Sequence, residues 1–191
     1  NPNPYTVDNV KIRYYGENCA QGHAMGLDVK FFGEFVPGTD SWISFSLMKA
    51  EQSIRGSEYV PMPNSQGYNV SLFFQDYFPG YKRVKLNLKG VLSGGVTAPR
   101  TGYEDGYFRT PTYKRVDLGF SYQLAGGTDA IMDRGFFRNL KNIWLGLDIF
   151  NLFDIKNTSS YYWITNIDNH QYAIPNYLTG RQLNIRLIVD F

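Results

Sequence analysis

The chain has 191 residues, 19 Lys and Arg against 17 Asp and Glu, 43% hydrophobic and 17% aromatic residues, and a single Cys. A net charge of +2 gives no nucleic-acid footprint, and 15 Tyr, 14 Phe and 3 Trp are too many core-forming side chains for a disordered segment. A helical membrane span is excluded as well, because the longest apolar runs, such as Leu145 to Phe153, are cut by Asp148 and Asn151. The opening Asn1-Pro2-Asn3-Pro4 lacks a basic start followed by an apolar stretch, so it is expected to be an interior cut of a longer polypeptide. Cys19 alone builds no disulfide framework.

Alternation with a period of two runs through the chain, the mark of strands with one apolar face. Val10, Ile12 and Tyr14 oppose Lys11 and Arg13. Leu27, Val29, Phe31 and Phe35 oppose Asp28, Lys30 and Glu34. Ile43, Phe45 and Leu47 oppose Ser44 and Ser46, and Tyr68, Val70, Leu72 and Phe74 oppose Asn69, Ser71 and Gln75. From Arg83 to Ser93, Val84, Leu86, Leu88 and Leu92 alternate with Arg83, Lys85, Asn87 and Lys89. Val116, Leu118, Phe120 and Tyr122 oppose Arg115 and Asp117, Ile143 to Ile149 oppose Asp148, and Leu183 to Phe191 oppose Arg186 and Asp190. Eight strands and an all-β fold are predicted, with a helical turn or two confined to Ala130 to Leu140.

The connections alternate in length. Pro37-Gly38 and Pro79-Gly80 make tight links, whereas Gly16 to His23, Arg55 to Gly67, Gly94 to Thr112 and Asn157 to Arg181 are long and polar. Ala125 to Asn142 is long where a short link is expected. Short turns at one end and long loops at the other, joined by alternating segments of about 9 to 13 residues, predict antiparallel strands of a transmembrane β-barrel. The apolar face would then meet lipid and the charged face would line a wet interior. Phe35, Trp42, Tyr77, Phe78, Tyr81, Tyr122 and Trp144 are the expected aromatic girdle beside the short turns.

Several stretches carry a resemblance. Asn142 to Asp154, ending in Asn151-Leu152-Phe153-Asp154, resembles the penultimate strand of TonB-dependent outer-membrane receptors. Gly22 to Asp28 and Thr112 to Leu118 resemble two further strands of that family, and Leu178-Thr179-Gly180-Arg181 is similar to its forms in Bacteroidota. The apolar positions leading to Phe191 resemble the terminal strand recognised by the barrel-assembly machinery, with Leu187, Val189 and Phe191 as the signal. The resemblance implies the C-terminal part of an importer whose barrel, of about 22 strands, is filled by an N-terminal plug. Neither the plug nor a TonB-contacting region is in these 191 residues. It implies an outer-membrane location, with long loops extracellular and the C-terminus periplasmic. Its implied partners are membrane lipid, the plug and remaining strands of the parent chain, TonB, the assembly machinery, and a small-molecule, glycan or peptide nutrient.

On this reading Lys11, Arg13, Asp28, Lys30, Glu34, Arg83, Lys85, Lys89, Arg115, Asp117, Asp148 and Arg186 line the interior and face the plug, joined by Asp190. The loop aromatics Tyr59, Tyr103, Tyr107, Phe108, Tyr161, Tyr162, Trp163 and Tyr172 are candidate extracellular ligand contacts. No catalytic residues, metal ligands or cofactor are expected, since nothing in the spacing of His23 or His170 brings either to Glu104 or Asp168. A self-contained eight-stranded outer-membrane barrel, serving as adhesin or anchor, and a soluble β ligand-binding protein are the alternatives.

Overall fold

The structure is a computed structural model that describes residues 18–62, 65–99, 107–126, 140–168 and 170–191. Its strands, in chain order, are β1 (Ala20–Val36), β2 (Thr39–Ile54), β3 (Val60–Pro61), β4 (Tyr68–Phe78), β5 (Tyr81–Ser93), β6 (Thr97–Pro99), β7 (Tyr107–Arg109), β8 (Tyr113–Gly126), β9 (Asn142–Phe150), β10 (Thr158–Thr165), β11 (Gln171–Tyr177) and β12 (Gln182–Asp190). Seven of them form one antiparallel meander in the order β1-β2-β4-β5-β8-β9-β12, and β3 adds to β2 as the eighth strand of the sheet. The chain is therefore all-β, and the sheet is not closed: β1 and β12 do not pair.

Seven of the eight expected strands occur in this sheet. The first, with Val10, Ile12, Tyr14, Lys11 and Arg13, lies outside the described residues, as does all of the expected helical stretch except Leu140. Two strands are much longer than the alternation suggests, with β1 reaching back to Ala20 and β2 running on to Ile54. The long links also contain structure: β6 pairs with β7, and β10 with β11, as two small hairpins.

Both Pro-Gly links are two-residue turns. Proline presets the first central position, and Gly38 and Gly80 take φ of 79° and 81°, the left-handed region that glycine enters without strain. Glu34 accepts a hydrogen bond from the Gly38 amide and so caps its own turn. These turns and the β8–β9 link lie at one end of the sheet, while β3, the β6–β7 hairpin and the β10–β11 hairpin all lie in links at the other.

Register aligns the apolar positions of all seven strands on one face. Leu27 pairs with Leu47, Phe45 with Val70, Phe74 with Leu88, Leu88 with Leu118, Phe120 with Leu147, and Leu147 with Ile185. Six strand-to-strand steps at about 4.8 Å make this belt about 29 Å wide, and the run from Leu86 to Leu92 makes it about 20 Å tall. Charge appears on that face only at its borders. Lys49, Glu51 and His23 interact above Leu47, Lys114 stands opposite Leu92, and Asp76 stands opposite Leu86 at the turn end.

No second layer covers the belt among the described residues. Ile185 is 75% exposed, Phe31 62% and Leu147 41%, while Leu86 and Leu88 are half-buried by strand neighbours alone. Among the described residues the buried hydrophobic ones are only Val36, Ala50, Ala125 and Leu140, of which Ala125 and Leu140 cluster with Ile143 and Val189 at the turn end. A monomer in water seldom leaves more than a few hundred Å² of contiguous apolar surface bare.

The turns allow a local test. Nothing lies within 4 Å of a Cβ built on Gly80, so Gly80→Ala meets backbone strain and no clash. A loss of about 1 kcal/mol is expected for it in urea unfolding of the purified protein.

Candidate functional site

The opposite face of the sheet is polar and hollow. Its central concavity, of about 450 Å³, is lined by Lys85, Asn87 and Lys89 of β5, Asp117 and Ser121 of β8, Trp144 and Asp148 of β9, and Arg186 of β12. Two glycines make its floor. A Cβ at Gly119 would collide with the Asn87 amide and the Asp148 carboxylate, and one at Gly146 would stand 3.1 Å from Arg186 Nε. With both sites bare, the long polar side chains lie flat across neighbouring strands. Arg186 Nη2 comes 3.6 Å from Asp148 Oδ1 and donates to Ser121 Oγ at 3.4 Å, and Asn184 Nδ2 donates to Asp148 Oδ2.

Aromatic rings hold most of the cations on this face. Lys30 Nζ lies 4.9 Å from the Trp42 ring centre, Lys89 Nζ 5.7 Å from Phe73, and Lys85 Nζ 4.4 Å from Trp144 and 5.2 Å from Tyr77. Trp42, Tyr77 and Trp144 therefore do not belong to an aromatic girdle on the apolar side. Trp42 precedes Ile43, Tyr77 pairs with Lys85, and Trp144 lies between Ile143 and Leu145, so alternation turns each toward the cations. Phe35 packs on Phe74 of the belt at 5.4 Å, Phe78 meets Tyr81 at the turn, and Tyr122 lies in the belt.

At the loop end, the Asn151-to-Asp154 group forms a polar junction around the buried Asn151. Asn151 and Asp154 take φ of 51° and 53°, a conformation that Asn and Asp tolerate better than most residues. Asn151 is 2% exposed; its amide N–H donates to Asp117 Oδ1, and its side chain bonds Ile155 N and Ile155 O. Leu152 N donates to Val116 O, and Arg181 N donates to Asp154 Oδ1 at 2.7 Å. Nearby, buried Asn157 brackets Lys114, accepting from its N–H and donating to its C=O as a strand neighbour would. The junction ties β9's exit to β8 and to β12's entry, and the β10–β11 hairpin springs from it.

That hairpin has two unlike faces. Tyr161 and Trp163 pack edge-on against Phe108 of β7, with ring centres 5.2 and 5.7 Å apart, so three of the expected ligand contacts join the two hairpins. Tyr162, Ile164, Tyr172 and Ile174 occupy the other face, all exposed. Tyr59 stacks edge-on with His23, 5.0 Å away. Tyr107 is placed by its backbone in β7, and Tyr103 lies outside the described residues.

Of the expected interior residues, Lys11 and Arg13 are outside the described residues; Asp28, Lys30, Glu34, Arg83, Lys85, Lys89, Arg115, Asp117, Asp148 and Arg186 share the polar parity. Arg115 Nε donates to Asp117 Oδ1 at 2.7 Å. Leu187 and Val189 lie on the apolar parity of β12 opposite Leu145 and Ile143, and Phe191 follows that strand, exposed. His23 reaches Glu51 at 3.4 Å, whereas His170 sits at the β10–β11 turn, donating its amide to Asn166. Among the described residues no group of three or more His, Cys, Asp or Glu could hold a metal ion, and no helix is long and apolar enough to cross a membrane.

The junction predicts an asymmetry. Asn151→Gly keeps the left-handed backbone and loses the side-chain bonds, while Asn151→Ala loses both. Thermal unfolding of the purified protein should show Asn151→Gly destabilised by about 1 to 3 kcal/mol and Asn151→Ala by about 1 kcal/mol more. Comparison of the chain with protein-family models, with curated proteins and with solved structures found no match.

Proposed function

We propose that the chain is the C-terminal part of the barrel wall of a TonB-dependent outer-membrane nutrient importer, with ligand-capture loops outside the membrane and no catalysis. The observation that carries this reading is the apolar belt: seven strands wide, bounded by charge above and below, and bare. Acyl chains would cover it and leave the polar concavity wet, the arrangement of an outer-membrane barrel. The two Pro-Gly turns would be periplasmic, and β3 and both hairpins extracellular. Phe191 would lie at the periplasmic end, where Leu187, Val189 and Phe191 form the assembly signal.

The resemblance supports the same reading. Its central group, Asn151 to Asp154, has a physical job in the fold, closing the loop-end junction of β8, β9 and β12. The open sheet supports the further expectation of partner strands. Unpaired edge N–H and C=O groups cost several kcal/mol each in hydrocarbon, so β1 and β12 need neighbours, supplied by the rest of the parent barrel. The plug and TonB would complete the machine. A self-contained eight-stranded barrel needs the sheet to close on itself, and among the described residues its first and last strands do not pair. A soluble protein needs a layer over the belt.

Neighbouring positions on β5 test the assignment. Leu88 stands between Phe74 and Leu118 in the belt, and Asn87 faces the concavity. Leu88→Arg should cost about 2 to 4 kcal/mol at the bilayer midplane and deplete folded protein from outer-membrane fractions, while Asn87→Arg inserts normally. Equal recovery of the two variants would refute a lipid-facing belt.

A further inference from the structure

We infer that β10 is an open edge that captures a short, uncharged, extended peptide as a third strand of the β10–β11 hairpin. The inference rests on the reading above, which puts this hairpin outside the membrane, and it names the class of nutrient the hairpin would hold. At the hairpin's tip the Asn166 N–H donates to His170 O at 2.9 Å, which makes Asn166 and His170 a hydrogen-bonded pair. Hydrogen-bonded and non-hydrogen-bonded pairs alternate down an antiparallel ladder. Thr165 with Gln171, Trp163 with Ala173 and Tyr161 with Pro175 are therefore the non-hydrogen-bonded pairs, and their backbone polar groups point away from the hairpin. Among the described residues no hydrogen bond reaches the outward N–H and C=O groups of Tyr161, Trp163 and Thr165.

The two edges are not alike. On β11, Pro175 falls at an outward position, where it has no N–H to offer and its ring obstructs a neighbouring strand, a common guard against unwanted pairing. The stretch from Asn157 to Ile167, which contains β10, has neither a proline nor a charged side chain, so that guard is missing. A hairpin of two strands is marginal by itself, and a third strand would complete it. The partner is a peptide, because only a peptide backbone repeats N–H and C=O with the strand's own period. It is short: Tyr161 to Thr165 spans about 14 Å at 3.4 Å per residue, room for about five residues and well below the surface that a stable protein partner needs. Its side chains would alternate between a row beside Tyr161 and Trp163, which Phe108 backs, and a row beside the exposed Tyr162 and Ile164. Both rows favour aromatic and β-branched side chains and offer an ionic one no counter-charge.

Amide hydrogen exchange, read residue by residue on the purified full-length polypeptide, tests this with a pool of uncharged pentapeptides built from Val, Thr, Tyr and Phe as the probe. The Tyr161, Trp163 and Thr165 amides should exchange about tenfold or more slowly when the pool is present, while those of Gln171 and Ala173 keep their rates. The same pool N-methylated at every residue, which keeps the side chains and loses the donors, should give no protection. Thr165→Pro removes one outward N–H without touching the β10–β11 bonds and should weaken peptide binding by up to about tenfold, whereas Ala173→Pro, its counterpart on β11, should leave binding unchanged. The proposal is overturned if the three β10 amides exchange alike with and without the pool, or if the N-methylated pool protects them as well. It is overturned equally if they are already protected without peptide, the edge then being taken by a second copy or another part of the polypeptide, or if Thr165→Pro binds as tightly as Ala173→Pro. The place of the hairpin is read separately. If Thr165→Cys on intact cells takes no membrane-impermeant maleimide beyond the Cys19 background, the importer reading fails, whichever way the exchange result falls.

Discussion

The constraint on which the rest depends is solvation of the belt. Burial of apolar surface is worth about 25 cal/mol per Å², and the described part of this chain forgoes nearly all of it on one whole face of a seven-strand meander. A sandwich would answer with a second sheet and an α+β protein with helices, and neither layer occurs among the described residues. What the fold does instead is line up apolar side chains strand after strand in unbroken register and stop them at common borders. Asp76 marks one border and Lys114, Lys49 and Glu51 the other. An apolar face with charge only at its margins is matched to a solvent that is itself a slab, which is the physical content of the proposed membrane setting.

A consequence follows for the other face. With no packed interior among the described residues, the sheet holds its shape through backbone ladders and polar contacts on the concave side. Cations rest on rings, amides and carboxylates lie over Gly119 and Gly146, and the loop end is pinned by Asn151, Asp154 and Asn157. The pins are backbone-directed. Asn157 imitates a strand neighbour for Lys114, and Asp154 catches the Arg181 amide at β12's entry. Such bonds gain strength where water is thin.

Much of this was legible in the sequence, for a simple reason: where one face is apolar and the other ionic, period-two contrast is large. β5, with Leu86 and Leu88 against Lys85 and Lys89, is the clearest strand for that reason. Contrast fails elsewhere. β10 and β11 carry aromatic or aliphatic side chains on both faces, Tyr161 and Trp163 against Tyr162 and Ile164, so alternation has no amplitude and the hairpin looks like a loop. The first half of β1 is hidden by Gly22, Ala24 and Gly26, whose small side chains carry no signal although they pair with Gln52, Ala50 and Met48. The faces of Trp42 and Trp144 were recoverable from parity with Ile43 and Ile143. Nearness to a turn suggests a girdle position for both, and alternation overrides it.

The junction at Asn151 shows what similarity of sequence and geometry each contribute. Resemblance picks out Asn-Leu-Phe-Asp as a group without saying why two polar residues should sit at the end of an apolar strand. Geometry supplies the reason: the chain must turn from β9 into the β10–β11 hairpin and come back beside it as β12, and a left-handed residue with a bonding side chain does this twice, at Asn151 and at Asp154. Asp117 joins that turn to the concave face, accepting from Asn151 N on one side and Arg115 Nε on the other. One carboxylate thus belongs both to the support of the β10–β11 hairpin and to the lining of the concave face, so a charge placed against it from that face competes directly with the bond that fixes the loop end.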